Sequence, residues 1–220
     1  MRRSSIFLIA AVFSILCCNI CYAFDDGDFE YWSTAGMSWK FHEDWKANIE
    51  EEFRFADDMQ DFYYHHADLG LSYSGLADWL TLEANYRQIY EEKSNVWKHE
   101  NRPHMGATIK LKVEEVAFSN RCRFEYRHKE DSDHFWRYRN KSTVKLPLKM
   151  TRHDIQPYVA DEIFYDFDAE GINTNRLYAG VTFKIFEQLS GDFFYLWQSK
   201  KSDSDWIDYN ILGTKFKVSF

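Results

Sequence analysis

The sequence predicts an all-β protein, an up-and-down antiparallel transmembrane β-barrel of ten to twelve strands. Three observations carry that expectation. Segments in which apolar and polar residues alternate with period two recur about every eighteen residues from Phe29 onward, the signature of strands with one apolar face. The connections between them are alternately short and long, like the turns on one rim and the loops on the other rim of such a barrel. The chain opens on an export-type leader and ends on a strand that stops at an aromatic residue, Phe220.

At the start, Arg2 and Arg3 precede an apolar run from Ile6 to Leu16, and Cys21-Tyr22-Ala23 offers small residues where a signal peptidase cleaves. Residues 1–23 therefore read as a secretory signal, with Phe24 the first mature residue and 24–220 a single barrel domain. The apolar run is too short for a membrane helix. Ile15-Leu16-Cys17-Cys18 lacks the small residue that precedes a lipidated cysteine. Cleavage leaves Cys122 alone, so no internal disulfide staples the fold and hydrogen bonding and burial must hold it. It also leaves 25 basic against 35 acidic residues, a mature net charge of −10, which argues against a general nucleic-acid binder.

Eleven alternating segments follow, at 29–41, 44–55, 62–74, 78–90, 98–113, 115–128, 134–147, 155–166, 174–186, 190–199 and 207–220. Tight joins fall at His42-Glu43, Ser74 to Ala77, Glu114-Glu115 and Glu187-Gln188, with Pro147 to Asp154 somewhat longer. Between them stand the acidic connections Asp57 to Asp61, Glu91 to Lys98, Lys129 to His134, Phe167 to Asn173 and Ser199 to Asp205. Trp39, Trp45 and Trp79 sit beside short turns, whereas Trp97, Trp136, Trp197 and Trp206 sit nearer long loops. Two interfacial girdles produce this sorting; strand propensity alone would not send aromatics to strand ends. Pro103, Pro147 and Pro157 are expected away from strand centres. Because single-chain bacterial barrels normally have an even strand number, either the first segment is not a full strand, giving ten, or Phe24 to Tyr31 holds another, giving twelve. Twelve is preferred.

The faces follow from parity. In the last strand Leu212, Thr214, Phe216, Val218 and Phe220 share one side, opposite Gly213, Lys215, Lys217 and Ser219. Phe216, Val218 and Phe220 have the form of a C-terminal signal for the barrel assembly machinery. One parity elsewhere carries Glu50, Glu52 and Arg54; Arg121, Arg123, Glu125 and Arg127; Arg137, Arg139 and Lys141; then Glu162 and Arg176. The opposite parity carries Phe118, Cys122, Phe124 and Tyr126, then Leu177, Ala179, Val181, Phe183 and Ile185. A soluble barrel would wear the charges outside. The leader, the turn asymmetry, the sorted tryptophans and Phe220 favour an apolar outside and a polar lumen, in the bacterial outer membrane against lipid and lipopolysaccharide. Glu51 and Asp161 fall on the lipid parity and call for a bulge, a register fault or a place near an interface.

Asn120 to Arg127, Arg137 to Lys141, Pro157 to Phe164, Asn175-Arg176-Leu177 and the earlier Glu50 to Arg54 resemble the ordered blocks of the domain of unknown function 2490 family. The resemblance covers nearly the whole mature chain. It implies a bacterial outer-membrane barrel without an established activity and transfers no catalytic residue.

Placing a turn at Ser132 sets Glu125 opposite Arg139 and Arg123 opposite Lys141, and Glu162 would serve Arg176 across the next hairpin, so an ion-pair network is expected to fill the lumen. Other chemistry is weaker. His99-Glu100-Asn101-Arg102-Pro103-His104 spaces its histidines one residue too widely for a zinc-protease helix and contains a proline. His65, His66, Asp68 and Ser72 lie on one strand without a nucleophile elbow, His65 opposite His66. The acidic loops have the composition of solvated connections or of cation bridges to lipopolysaccharide. No catalytic, cofactor or metal residue is assigned. The expected role is structural or interactive. A narrow channel for small acidic solutes or oligosaccharides is the runner-up, and a lipid-modifying enzyme comes third.

Overall fold

Alternation of apolar and polar residues is realised as eleven strands: β1 (Phe29–Lys40), β2 (Trp45–Ala56), β3 (Asp61–Ala77), β4 (Leu80–Lys93), β5 (Val96–Val113), β6 (Val116–Lys129), β7 (Phe135–Lys145), β8 (Gln156–Asp166), β9 (Gly171–Lys184), β10 (Leu189–Ser202) and β11 (Asp205–Ser219). The computed structural model describes residues 29–220 except 94, 131–132, 147–153, 169–170 and 203–204. The leader, its cleavage point, Ser132 and Pro147 lie outside the described residues. Each strand pairs antiparallel with the next, and β1 closes on β11 to complete a barrel.

The closure explains the count. β1 and β11 both run toward the rim of short turns, so they meet in parallel, from Phe29 opposite Asn210 to Ser38 opposite Ser219. An odd number of strands closes whenever one seam is parallel. The even-number rule that favoured twelve applies only where every neighbour is antiparallel, and β1 is a full strand of 12 residues. The last residue locks the seam: the Phe220 amide donates to the Ser38 carbonyl at 2.9 Å, and the Lys40 amide donates to the Phe220 carbonyl at 2.9 Å.

Two expectations of local irregularity are corrected. Glu51 and Asp161 do point outward, without a fault to excuse them. The register shifts of β2 and β8 come at Arg54/Phe55 and Phe164/Tyr165, beyond both residues, and each acid is flanked by inward neighbours that fix its parity. Both sit near mid-strand, and Asp161 accepts a hydrogen bond from Asn175 Nδ2 at 2.7 Å. Pro103 stands eighth in a strand of 18 residues, nearer the centre than expected. The β5–β6 pairing skips Arg102 and Pro103, as the missing proline N–H requires.

The outer wall is apolar, and aromatics collect toward both ends of it. Trp39, Trp45 and Trp79 are exposed near the short turns, while Trp97, Trp136 and Trp206 are exposed near the long loops. Inside, the sector formed by β8 to β11 and β1 holds a small apolar core of Trp32, Tyr158, Ala160, Tyr178, Phe194, Leu196 and Ile211. Glycine permits it: a Cβ on Gly213 would lie 2.0 Å from the Phe194 ring, and one on Gly180 would meet Phe194 and Tyr158 at 2.8 Å. The aromatic rings therefore lie directly on strand backbone, and the remaining sectors are left to charged side chains.

The parallel seam is testable by cross-linking. Ser38 Oγ donates to Ser219 Oγ at 3.0 Å, so Ser38→Cys with Ser219→Cys, in a Cys122→Ser background, is expected to oxidise to an intramolecular disulfide seen as a non-reducing gel shift. A strand inserted between them would add about 5 Å and forbid the bond.

A charged barrel interior

Period-two alternation sends every second residue of each strand inward, so runs such as Arg121-x-Arg123-x-Glu125-x-Arg127 deliver adjacent charges to one surface. The sequence-predicted set Glu50, Glu52, Arg54, Arg121, Arg123, Arg127, Arg137, Arg139, Lys141, Glu162 and Arg176 all lines one cavity of about 1260 Å3. Glu125 is fully buried beneath the same surface. Phe216 and Phe220 are exposed on the outer wall.

Two carboxylates organise the middle of β6 to β9. Arg139 bridges them, donating from Nη1 to Glu125 Oε1 at 2.9 Å and from Nη2 to Glu162 Oε1 at 2.8 Å. Glu162 also accepts from Arg121 Nη2 at 3.2 Å and from the Tyr178 hydroxyl at 3.0 Å. Arg176 Nη1 stands 4.0 Å from it and donates through Nε to Gln198 at 2.8 Å. Glu125 faces Arg102 and Arg123, each at 3.6 Å. Lys141 makes no salt bridge among the described residues; its Nζ lies 3.4 Å from the Tyr178 ring centroid.

Register differs from expectation on one hairpin. Glu125 pairs with Arg137, Arg123 with Arg139 and Arg121 with Lys141, a slip of two residues from the turn placed at Ser132. A slip of two keeps every side chain on its face, so Arg139 still reaches Glu125 diagonally. Glu162 pairs with Arg176.

Several partners are absent from the sequence reading. Toward the long-loop rim, Glu100 accepts from Arg102 Nε at 2.6 Å and from Arg127 Nε and Nη2 at 2.8 and 2.7 Å. Arg137 and Asp166 form a two-pronged pair, the fork geometry that suits guanidinium and carboxylate. Asp68 collects Arg87 Nε at 2.7 Å, Asn85 Nδ2 at 2.7 Å and His104 Nε2 at 3.0 Å. Lys215 pairs with Glu50 across β1. Arg54 donates to Glu52 at 2.7 Å while its guanidinium lies 3.7 Å from the Trp32 ring centroid. Glu30 accepts from Trp32 Nε1 and the Tyr63 hydroxyl, both at 2.7 Å. Parity alone would have found Glu30, Trp32, Glu100 and Asp68, since each shares a face with charges already singled out.

The histidines divide by face. His66 and His104 are buried inside, and His66 Nδ1 shares a hydrogen bond with the Tyr64 hydroxyl at 3.1 Å. His65 and His99 project outward on either side of Tyr90, with ring centroids 5.4 and 4.9 Å from it. Ser72 Oγ accepts from Asn48 at 3.3 Å.

Charge inside is unequal. Among the described residues, seventeen lysines and arginines line the cavity against ten aspartates and glutamates, so adding buried Glu100 and Glu125 still leaves an excess of cations. The lining reaches both ends, with Lys46, Asp78 and Lys217 by the short turns and Lys93 and Lys129 by the long loops.

Fold and interior together define a closed β-barrel with an apolar wall and an ion-paired, cation-rich lumen. The chain belongs to the family described as protein of unknown function DUF2490, whose model matches residues 29–209, from the first residue of β1 into β11. Comparison with curated proteins finds no match. Among solved structures, the outer-membrane expressed OmpT of Vibrio cholerae is similar with a TM-score of 0.42 and 8% identity, covering 78% of this chain and 62% of that chain.

Removing one shared carboxylate tests the network. Glu125→Gln leaves Arg102, Arg123 and Arg139 facing one another in a buried site. It is expected to destabilise the folded barrel by about 3–5 kcal/mol, read from urea unfolding followed by tryptophan fluorescence. The outward Glu51→Gln is expected to be destabilising by less than about 0.5 kcal/mol, or to be stabilising.

Proposed function

We propose that this protein is an outer-membrane β-barrel that serves as a narrow conduit for small acidic solutes. The observation that carries the reading is the cavity itself, which is lined from one rim to the other and carries more cations than anions. Barrels of about eight strands are filled by side chains and those of sixteen leave an open channel; eleven lies between. Spread along a barrel about 35 Å tall, the cavity has a mean bore of about 35 Å2, which suits small solutes and excludes folded polypeptide. Excess fixed positive charge in a low-dielectric wall concentrates anions and repels cations.

The membrane setting rests on the apolar wall, on the tryptophans near both rims and on the terminal strand whose Phe216, Val218 and Phe220 face away from the lumen. Lipid and lipopolysaccharide would contact that wall, and the barrel assembly machinery would read the terminal strand. A second reading is favoured by the extensive burial of Glu125, Glu162 and Arg139: a closed barrel with a structural or interaction role, its lumen plugged by ion pairs. Neither reading requires a catalytic residue or a cofactor.

One measurement tests the barrel common to both readings, and a second separates them. The folded protein in the outer-membrane fraction is expected to migrate differently before and after heating on a semi-native gel. In planar bilayers it is expected to show small, anion-selective conductance that Arg123→Glu reduces or reverses. A heat-modifiable protein that passes no ions would remove the conduit and leave the plugged barrel.

A further inference from the structure

Arg121, Lys141, Glu162 and Arg176 follow one another across four adjacent strands in a single inward row, so three cations flank one carboxylate. Arg139 and Arg123 stand in the next row. Glu162 spends its oxygens on Arg139, Arg121 and Tyr178, and Glu125 is divided among Arg139, Arg102 and Arg123. What remains is incompletely paired, and Glu125 Oε2 itself accepts no hydrogen bond. Arg123 is 6% exposed, yet its Nε has no hydrogen-bond partner. Lys141 rests on a tyrosine ring. A buried N–H of a charged group without an acceptor is costly, and crowding like charges adds to that cost. Gly106, paired with Arg123, contributes no side chain to the cavity wall beside it. Arg121 keeps 30% of its side chain exposed to the cavity.

We propose that Arg121, Arg123, Lys141 and Arg176 form a binding site for a multivalent oxyanion, a phosphate group either free or carried on a small organic solute. The inference rests on the conduit reading for the identity of the solute that passes, and it would make this row the selective step. Forked guanidinium donors match the several oxygens of a tetrahedral anion, and an ammonium adds point charge. Three acids stand near the site and are outnumbered by its cations. Glu162 is already saturated, Glu125 faces Arg102, Arg123 and Arg139 although its Oε2 accepts no hydrogen bond, and Glu83 beside Gly106 accepts only from Thr108 at 3.4 Å, so it opposes an anion in part.

Isothermal titration of the folded, heat-modifiable protein in detergent, at fixed ionic strength in chloride, tests the site with inorganic phosphate and with glycerol phosphate as separate probes. Saturable binding of at least one is expected, the pair of results telling a free ion from an esterified one. Arg123→Gln and Lys141→Gln should weaken it at least tenfold, Arg123→Lys less, and Lys112→Gln outside the cavity not at all. Lys141→Gln should also raise the urea midpoint in phosphate-free buffer, because it relieves repulsion; a residue needed only for packing would lower it. No saturable binding of either probe, or wild-type affinity in Lys141→Gln, overturns the proposal. Binding without conductance keeps the site and removes the conduit, and conductance without binding does the reverse.

Discussion

The sharing of Glu125 and Glu162 among the arginines of β5 to β9 is the interaction on which the interior depends. Taking an ion out of water costs several kcal/mol even after relaxation, and a neighbour of opposite sign offsets it only when the geometry is good. Arg139 meets that condition from both sides, reaching Glu125 and Glu162 at 2.9 and 2.8 Å. Its position ties β6 to β8 across β7, so the network braces three strands as well as neutralising charge. The outlying cations are held less well, through rings, amides and longer contacts. The interior is therefore rigid at its two carboxylates and under electrostatic strain around them.

Closure makes that arrangement possible. A barrel whose first and last strands run the same way needs a seam in which hydrogen bonds are slanted and evenly spaced, slightly weaker per residue than antiparallel ones. Here the seam adjoins the apolar part of the lumen. Trp32 from β1 and Ile211 from β11 are buried beside Leu196 and Phe194, and Lys215 of β11 reaches over β1 to Glu50 of β2. Burial and a crossing ion pair thus reinforce the junction where the backbone ladder differs from the rest.

Much of this was legible in the sequence, and the parts that were not share a cause. Strand positions were readable because alternation is a local property, and the inward parity of Arg121, Arg123, Glu125 and Arg127 needs no knowledge of any partner. Register is not local. It depends on how many residues a loop consumes, and the β6–β7 turn was centred one residue from where the strand pairing centres it, which slips every pair by two. The face survived because two is the period of a strand. Contacts that skip a strand were invisible, since Glu50 with Lys215 requires the seam and Asp68 with His104 requires β4 between them. Eleven strands lie within the expected ten to twelve, and the slight preference for twelve arose at the same point: an even count follows from antiparallel neighbours throughout, and only the closure shows that one pair is parallel. Trp32 was not among the tryptophans sorted to the rims, although its parity with Glu30 and Thr34 sends it inward, where it is buried.

Composition misleads about the interior for a related reason. The whole chain carries a net charge of −8, which by itself predicts an aversion to acidic ligands. A barrel has two surfaces and two rims, and the sum runs over all of them. Exposed acids collect at the rims, with Asp57 and Asp58 on one and Glu43, Glu114, Glu115 and Glu187 on the other, where water screens them within about 10 Å. The lumen holds the opposite excess where screening is weak. An acidic solute inside the barrel responds to the nearby, poorly screened cations of the wall more than to the distant rims. The sign that governs binding in such a fold is the charge counted by face along each strand, which here is positive on the inside.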